Sequence, residues 1–183
     1  MEQLLTLREL LQHEIDDLYS AEEQIIEALP KMVEAASSPQ LKSALKNHLI
    51  ITRKQKNRLD EVRKLLESQP KANTGLMEKI FGSNTKCKGT EGLVKEAEHI
   101  MKQTEEDNSV KDAAIIAAAQ KIEYYEISGY GTARAFAMQL GLSEVEKLLT
   151  ETLNEEHEAD NELNGLALFG VNVEAAQHTG LPE

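Results

Sequence analysis

The sequence is poor in the features that mark membrane-spanning and disulfide-stabilised proteins. It contains no uninterrupted run of about 18 apolar residues, so we expect no transmembrane helix. Its single cysteine, Cys87, excludes an intrachain disulfide and favours a reducing, cytoplasmic location. The N-terminal stretch, residues 1–10, is acidic and amphipathic and lacks a secretory pattern.

Basic residues are also scarce relative to acidic ones. The chain has 20 Lys and Arg against 32 Asp and Glu, which gives a formal net charge of −12. A charge of this sign disfavours binding to nucleic acids and to anionic membranes, and it attracts cations. We therefore expect metal ions as partners, and neither nucleic acid nor membrane.

Proline and glycine are few, and they divide the chain into long helical blocks. With 40% hydrophobic residues over 183 positions, the chain can bury a core. The pattern predicts long helices at residues 3–35, 39–67, 110–140 and 143–168, and short ones near 77–81 and at 90–105. We expect an all-α, four-helix bundle as a single domain over residues 1–168, followed by a loosely packed C-terminal tail over 169–183.

Two local features bear on how the predicted helices connect. Ser143 is expected to cap the fourth long helix, with Glu146 at the reciprocal position of a capping box. The segment between the second and third long helices, which carries the predicted short helices, is long enough to cross the full length of a bundle. The up-down-down-up topology of ferritin-like folds is therefore allowed.

Each long helix carries an apolar stripe that is polar only near its middle. Glu22 and Thr52 lie about 15 residues on either side of the first predicted turn, and Glu126 and Glu156 lie about 15 residues on either side of the second. These positions predict one polar layer at mid-bundle. The polar residues on the four stripes are Glu22, His48, Thr52, Gln55, Glu126, Glu156 and Asp160.

Several carboxylates in a dry layer repel one another unless they are protonated or bind a cation. Oxygen ligands with some imidazole suit iron or manganese, so we interpret Glu22, Glu126, Glu156 and Asp160 as metal ligands. The alternative is a hydrogen-bonded polar layer that sets the register of the helices without metal.

Other candidates are weaker. Glu96 and His99 match the Glu-x-x-His spacing of di-iron bundles, but they fall on the polar face of the short helix and are interpreted as solvated. His48 is interpreted as a packed core histidine more readily than as a ligand. Tyr19 and Tyr130 lie within one turn of Glu22 and Glu126, where they can hydrogen-bond the acids or pack in the core.

Three segments together carry a family resemblance: "DLYSAEEQIIEALPKM", "AAQKIEYYEISGYGTARAFA" and "LLTETLNEEHEADNEL". They resemble the YciE/YciF-type ferritin-like family of bacterial stress-associated proteins, over residues 3–168. The resemblance implies a rubrerythrin-related bundle, a homodimer and a site for iron, or manganese. The ligands that it implies are Glu22, Gln55, Glu123, Glu126, Glu156 and Asp160.

The second long helix departs from that family pattern. It reads "HLIITRKQ", so Ile50 and Ile51 stand where acids are usual in relatives. Three outcomes therefore remain: the site binds one metal ion, binds two weakly, or binds none. The leading hypothesis is an iron-binding stress protein that handles Fe(II), O2 or peroxide. The alternative is a non-catalytic structural protein with a degenerate or empty site.

Overall fold

The protein is an all-α bundle, described here from a computed structural model over residues 4–68 and 86–177. Its helices are α1 (Leu7–Ala35), α2 (Pro39–Ser68), α3 (Lys88–Gln103), α4 (Asn108–Gln139), α5 (Ser143–Leu166), a π-helical turn (Ala167–Val171) and α6 (Asn172–Gln177). The predicted all-α fold is confirmed. The predicted short helix near 77–81 lies outside the described residues.

The four long helices, α1, α2, α4 and α5, run up, down, down and up. α1 packs against α2 and α4, and α5 packs against α4 and α2. Tyr125 donates a hydrogen bond to Asp17, in the first half of α1, and Ser37, just past its end, donates one to Asp112. The helices α1 and α4 are therefore antiparallel. Gln55 meets Glu156 and Arg58 meets Thr152, so α2 and α5 are antiparallel as well. α3 covers the seam between α1 and α4.

The predicted capping box at the start of α5 does not form, because the helix begins one residue earlier than predicted. Leu142 occupies the N-cap position, and no side-chain capping hydrogen bond forms there. The cause lies in the preceding turn. Gly141 takes φ +68°, and Leu142 donates its N–H to Ala137 in a Schellman motif that ends α4. Because that motif needs only one residue past the glycine, Ser143 is already helical.

Helical structure extends beyond residue 168, where the pattern predicted that the last long helix would end. The π-helical turn places Ala167 and Val171 in the core, at 7% and 5% exposure. Leu168 and Phe169, in the same turn, are exposed. Part of the expected tail is therefore packed against the bundle.

Two apolar clusters fill the bundle on either side of a polar level. The first apolar cluster includes Ile25, Leu45, Ile122 and Leu163. The second apolar cluster includes Leu18, Leu59, Tyr130 and Leu153. The buried acids lie between them on α1, α4 and α5, as the interrupted stripes predicted.

Candidate metal centre

Four side chains from three helices converge at the polar level. His48 of α2, Glu123 and Glu126 of α4, and Glu156 of α5 each offer one ligand atom, and these atoms all lie within 4.8 Å of one another. All four residues are buried. We call this set the four-ligand group. Three carboxylates and one imidazole are a donor set that iron and manganese accept.

Helical spacing explains why these residues meet. Glu123 and Glu126 are three residues apart on α4, so their side chains project from one face. Glu156 faces them from the antiparallel neighbour α5. His48 approaches from α2, where it lies one turn before Thr52 on the buried stripe.

His48 is the residue whose role the sequence pattern underestimated. Its Nε2 lies 3.2 Å from Oε1 of Glu123, but the two atoms are not aligned for a hydrogen bond, and both ring nitrogens lack a partner. Burial lowers the pKa of His48 to about 4, so the imidazole is neutral at neutral pH. A neutral imidazole has a nitrogen lone pair for a metal. The one signal in the sequence was the position of His48 on the buried stripe.

Glu22 of α1 is a further acid of the polar level, and it is fully buried. Its Oε1 accepts a hydrogen bond from the phenol of Tyr130, which is also fully buried, while its Oε2 has no partner. The charge of Glu156 raises the pKa of Glu22, second to burial. The expectation that Tyr130 hydrogen-bonds an acid of the layer is thus met at Glu22.

Gln55 connects the layer to the α2–α5 face. Its Nε2 donates to Oε1 of Glu156 at 2.5 Å and to Oε2 of Glu155 at 3.2 Å, and its Oε1 has no partner. Arg58 holds Glu155 in place at 2.9 Å and donates to Thr152 at 2.7 Å. This network fixes the orientation of Glu156 from the outer side.

Asp160, a predicted ligand, lies outside the four-ligand group. It is 7% exposed, and its Oδ1 accepts a hydrogen bond from Gln120 at 3.0 Å. Its Oδ2 accepts from Asn164 at 3.3 Å. Both carboxylate oxygens of Asp160 therefore accept hydrogen bonds. Asp160 lies one helical turn from Glu156, on the side of the first apolar cluster.

Burial is the main cause of the electrostatic state of the acids. Burial first, and the charge of Glu156 second, raise the pKa of Glu22, Glu123 and Glu126 well above the ordinary value. Burial also raises the pKa of Glu156 itself, to about 7. Without a cation, the layer is therefore largely protonated at mildly acidic pH.

Unpartnered oxygens test whether the layer fits a metal. Glu22, Glu123, Glu126 and Glu156 each have one buried oxygen without a hydrogen-bond partner. Such atoms are costly to bury, and a cation in the four-ligand group would give the carboxylates of that group a partner. The donor set and its unused lone pairs fit iron or manganese.

The remaining candidates lie away from the layer. Lys56 Nζ and Arg63 Cζ each lie over the ring of Tyr19, at 4.9 Å and 3.7 Å from its centroid. Glu96 pairs with Lys121 on the surface and His99 is exposed, as interpreted from the sequence. Ile50 is 53% exposed and Ile51 is half-buried, so the buried polar positions of α2 are His48, Thr52 and Gln55.

The part of the chain that the structure describes contains no helix that is both long and apolar enough to cross a membrane. This agrees with the absence of long apolar runs from the sequence.

Comparisons with known proteins identify the family. Residues 6–176 match the model described as a domain of unknown function, DUF892. Protein YciF of Escherichia coli (strain K12) is 42% identical over 170 residues, which span 93% of this chain and 95% of that protein. The resemblance to the YciE/YciF-type family is confirmed.

Solved structures agree with the sequence comparison. The crystal structure of the E. coli stress protein YciF has a TM-score of 0.81 at 41% identity and covers 92% of this chain and 99% of that one. YcfI from Rhodopseudomonas palustris, provisionally described as a structural protein, has a TM-score of 0.78 at 41% identity, with coverages of 91% and 98%. The chain therefore belongs to the DUF892 family and is a homologue of the stress protein YciF.

Proposed function

We propose that this protein binds Fe(II), or Mn(II) in its place, at the four-ligand group and serves stress-related handling of dioxygen or peroxide. One observation carries the proposal. The ligand atoms of His48, Glu123, Glu126 and Glu156 lie within 4.8 Å of one another in a buried layer. The three carboxylates of this group each keep an unpartnered oxygen, and the imidazole is neutral.

The number of ions follows from the arrangement of donors. The four-ligand group provides the ligands for one ion. Glu22 adds a further carboxylate with a free Oε2, and Gln55 adds a free amide oxygen. A second ion would depend on these two residues, because α2 supplies no carboxylate to the layer.

The residues of the chain prepare the site for redox chemistry. Fe(II) bound here would supply one electron per ion as it becomes Fe(III), so the oxidation of two Fe(II) ions, with two protons, would convert dioxygen to hydrogen peroxide, or hydrogen peroxide to two waters. Tyr130 holds Glu22, and Gln55 holds Glu156, so both carboxylates keep their orientation. The two apolar clusters exclude bulk water from above and below the layer.

Anaerobic titration of the metal-free protein with Fe(II) or Mn(II) tests this proposal. We expect at least one ion per chain for the native protein, and a large loss of affinity for His48→Ala and for Glu156→Gln. His99→Ala and Glu158→Gln are matched controls, because both positions are exposed, and both variants should bind like the native protein. Native protein that binds neither metal, or His48→Ala that binds as tightly as His99→Ala, would contradict the proposal.

A structural role is the second candidate. Two observations favour it: α2 supplies no acid to the layer, and the relative from Rhodopseudomonas palustris is described as structural. In that case the layer would act through protonated, hydrogen-bonded carboxyls that set helix register. The same titration separates the two candidates, because a purely structural layer binds no metal.

We further propose a cytoplasmic homodimer that does not bind nucleic acid. The homodimer rests on the family resemblance, and the location rests on the free thiol of Cys87. Light scattering should give a mass twice that of the 20.4 kDa chain. A monomer in solution would remove this part of the proposal and leave the metal centre untouched.

A further inference from the structure

Two small cavities lie end to end between the metal centre and the surface. The inner cavity touches His48 and Glu123, and its other walls are apolar and include Ile25, Leu29 and Ala119. The outer cavity lies under α3 and is lined by Val94, Ala97 and Met101, with Lys31 and Glu98 at its polar end. Each offers about 10 Å³ to the centre of a water-sized molecule, which is enough for one such molecule.

Three residues line both cavities, so the two spaces are adjacent. These residues are Ala28, Met32 and Ile122. Ala28 is small, and the side chain of Met32 is unbranched and adapts its shape readily. A rotamer change of Met32 would therefore alter the space between the two cavities without movement of the helices.

The ends of this path differ from its walls in polarity. At the outer end, Lys31 and Glu98 form an ion pair of 2.6 Å, and their side chains are 64% and 38% exposed. At the inner end, His48 has both ring nitrogens unpartnered and Glu123 has its Oε2 unpartnered. The residues between the two ends offer only hydrocarbon and thioether groups.

We propose that the two cavities form the route by which dioxygen reaches the metal centre at His48 and Glu123. This inference rests on the proposed function and names dioxygen as its oxidant. Water and hydrogen peroxide lose hydrogen bonds in such a passage, and an Fe(II) ion loses far more hydration energy. Dioxygen loses no hydrogen bond, and apolar surroundings favour its transfer from water. Metal and peroxide must therefore enter elsewhere, and the polar α2–α5 face at Gln55 and Glu155 offers hydrogen-bonding groups.

Dissolved dioxygen is itself a paramagnetic probe of this route, and it needs no metal. Methyl NMR of the metal-free protein under oxygen pressure should show strong relaxation at Ala28, Met32 and Ile122. The methyls of Ile15 and Leu149 are equally buried in the second apolar cluster and should relax much less. Equal relaxation at both sets would overturn the route.

A larger side chain at Ala28, which lines both cavities, should block the route, and the same change elsewhere in α1 is its control. Ala28→Leu should remove the oxygen effect at Met32 and Ile122, whereas Ala35→Leu, the same change in the same helix away from both cavities, should retain it. If Ala28→Leu does not fold, Ala28→Val fills the junction with a smaller side chain. Persistence of the oxygen effect in a folded Ala28 variant would overturn the route.

Kinetics then connect the route to the metal. With Fe(II) bound anaerobically, Ala28→Leu should slow oxidation by dioxygen about tenfold or more, since it raises the barrier to access. Its Fe(II) affinity and its oxidation by hydrogen peroxide should match those of Ala35→Leu. An unchanged dioxygen rate, or equal slowing with both oxidants, would contradict the inference. Native protein that binds no Fe(II) would instead defeat the proposed function, while the NMR experiment would still decide whether dioxygen enters the cavities.

Discussion

Protonation allows the acids of the polar layer to be buried close together, because neutral carboxyls do not repel one another. Burial raises the pKa values of Glu22, Glu123, Glu126 and Glu156, and the charge of Glu156 adds to the shift at the other three. A bound cation would reverse this preference, because it favours the ionised carboxylates. The same side chains can thus hold protons in the metal-free protein and lose them to a metal.

The pH dependence of stability should show the protonated state of Glu156. Its pKa is about 4.5 unfolded and about 7 in the fold, so the folded chain retains a proton that the unfolded chain has lost. The contribution of Glu156 to the free energy of unfolding is fully present below about pH 4.5. It is lost as pH rises to about 7, and the loss amounts to about 3 kcal/mol. We expect the difference between metal-free native protein and Glu156→Gln to show this fall in urea denaturation.

His48 has the opposite effect on the pH dependence of stability over the same pH range. Its pKa falls from 6.5 to about 4, so its contribution to stability is lost as pH falls from about 6.5 to about 4. Comparison with Glu156→Gln cancels most of this effect, because both proteins retain His48. Glu158→Gln, at an exposed position, should parallel the native protein. A native-minus-Glu156→Gln difference that does not change with pH would argue against a buried, uncharged layer.

Tyr130 offers a second test at the scale of one residue. Its phenol donates to Glu22 in a site that is fully closed to solvent, and Tyr130→Phe removes the donor without changing the ring. We expect a loss of about 1–3 kcal/mol, because a buried acceptor loses its partner. Tyr124→Phe is the control at a position 57% exposed, and it should leave the denaturation midpoint nearly unchanged. Equal effects of the two changes would contradict the assigned contact.

At the scale of helices, side chains of one element fix the ends of another. Asp112 of α4 accepts the backbone N–H groups of Ser37 and Ser38 at 2.7 Å and 2.6 Å and so ties the α1–α2 turn to α4. The Schellman motif at Gly141 sets the short turn between α4 and α5. Both turns fix the axial position of the helices, and this position decides whether Glu22, Glu126 and Glu156 share one level.

The C-terminal π-helical turn should stabilise the bundle through one side chain. Val171 is 5% exposed and belongs to the first apolar cluster, whereas Val173 is 52% exposed. Val171→Ala should lower the free energy of unfolding by about 1–2 kcal/mol, because it removes buried methyl groups. Val173→Ala should change it by less than about 0.5 kcal/mol. Urea denaturation of both variants gives the comparison, and equal values would show that the segment does not pack as described.

At the scale of the whole molecule, the polar layer divides the core, so metal binding should couple to global stability. An ion that binds only the folded chain at 100 times its Kd adds about 2.7 kcal/mol. Mn(II) should therefore raise the thermal midpoint. It should also release protons near pH 6, because the acids are protonated before binding. Calorimetry in buffers of different ionisation enthalpy measures that release. Binding without proton release would contradict the raised pKa values of the acids.

The sequence by itself determined the all-α fold, the level of the polar layer and most of its acids. Helical periodicity places Glu22, Glu126 and Glu156 on buried stripes, and equal distances from two turns align them. These are properties of single helices and of their connections, which a linear pattern contains. The family resemblance added Glu123, and it added a ligand role for Gln55, which periodicity had already placed on a buried stripe; both residues are buried in the structure.

Only the tertiary structure decided which polar residues meet. His48 and Asp160 both lie on buried stripes, yet His48 enters the four-ligand group, whereas Asp160 turns to Gln120 and Asn164. Periodicity gives the face of a helix, but rotamers, the rotation of the helices about their axes and neighbouring donors decide the contacts. The inner cavity beside His48 arises in the same way, from side chains of α1, α2 and α4 that no single helix brings together.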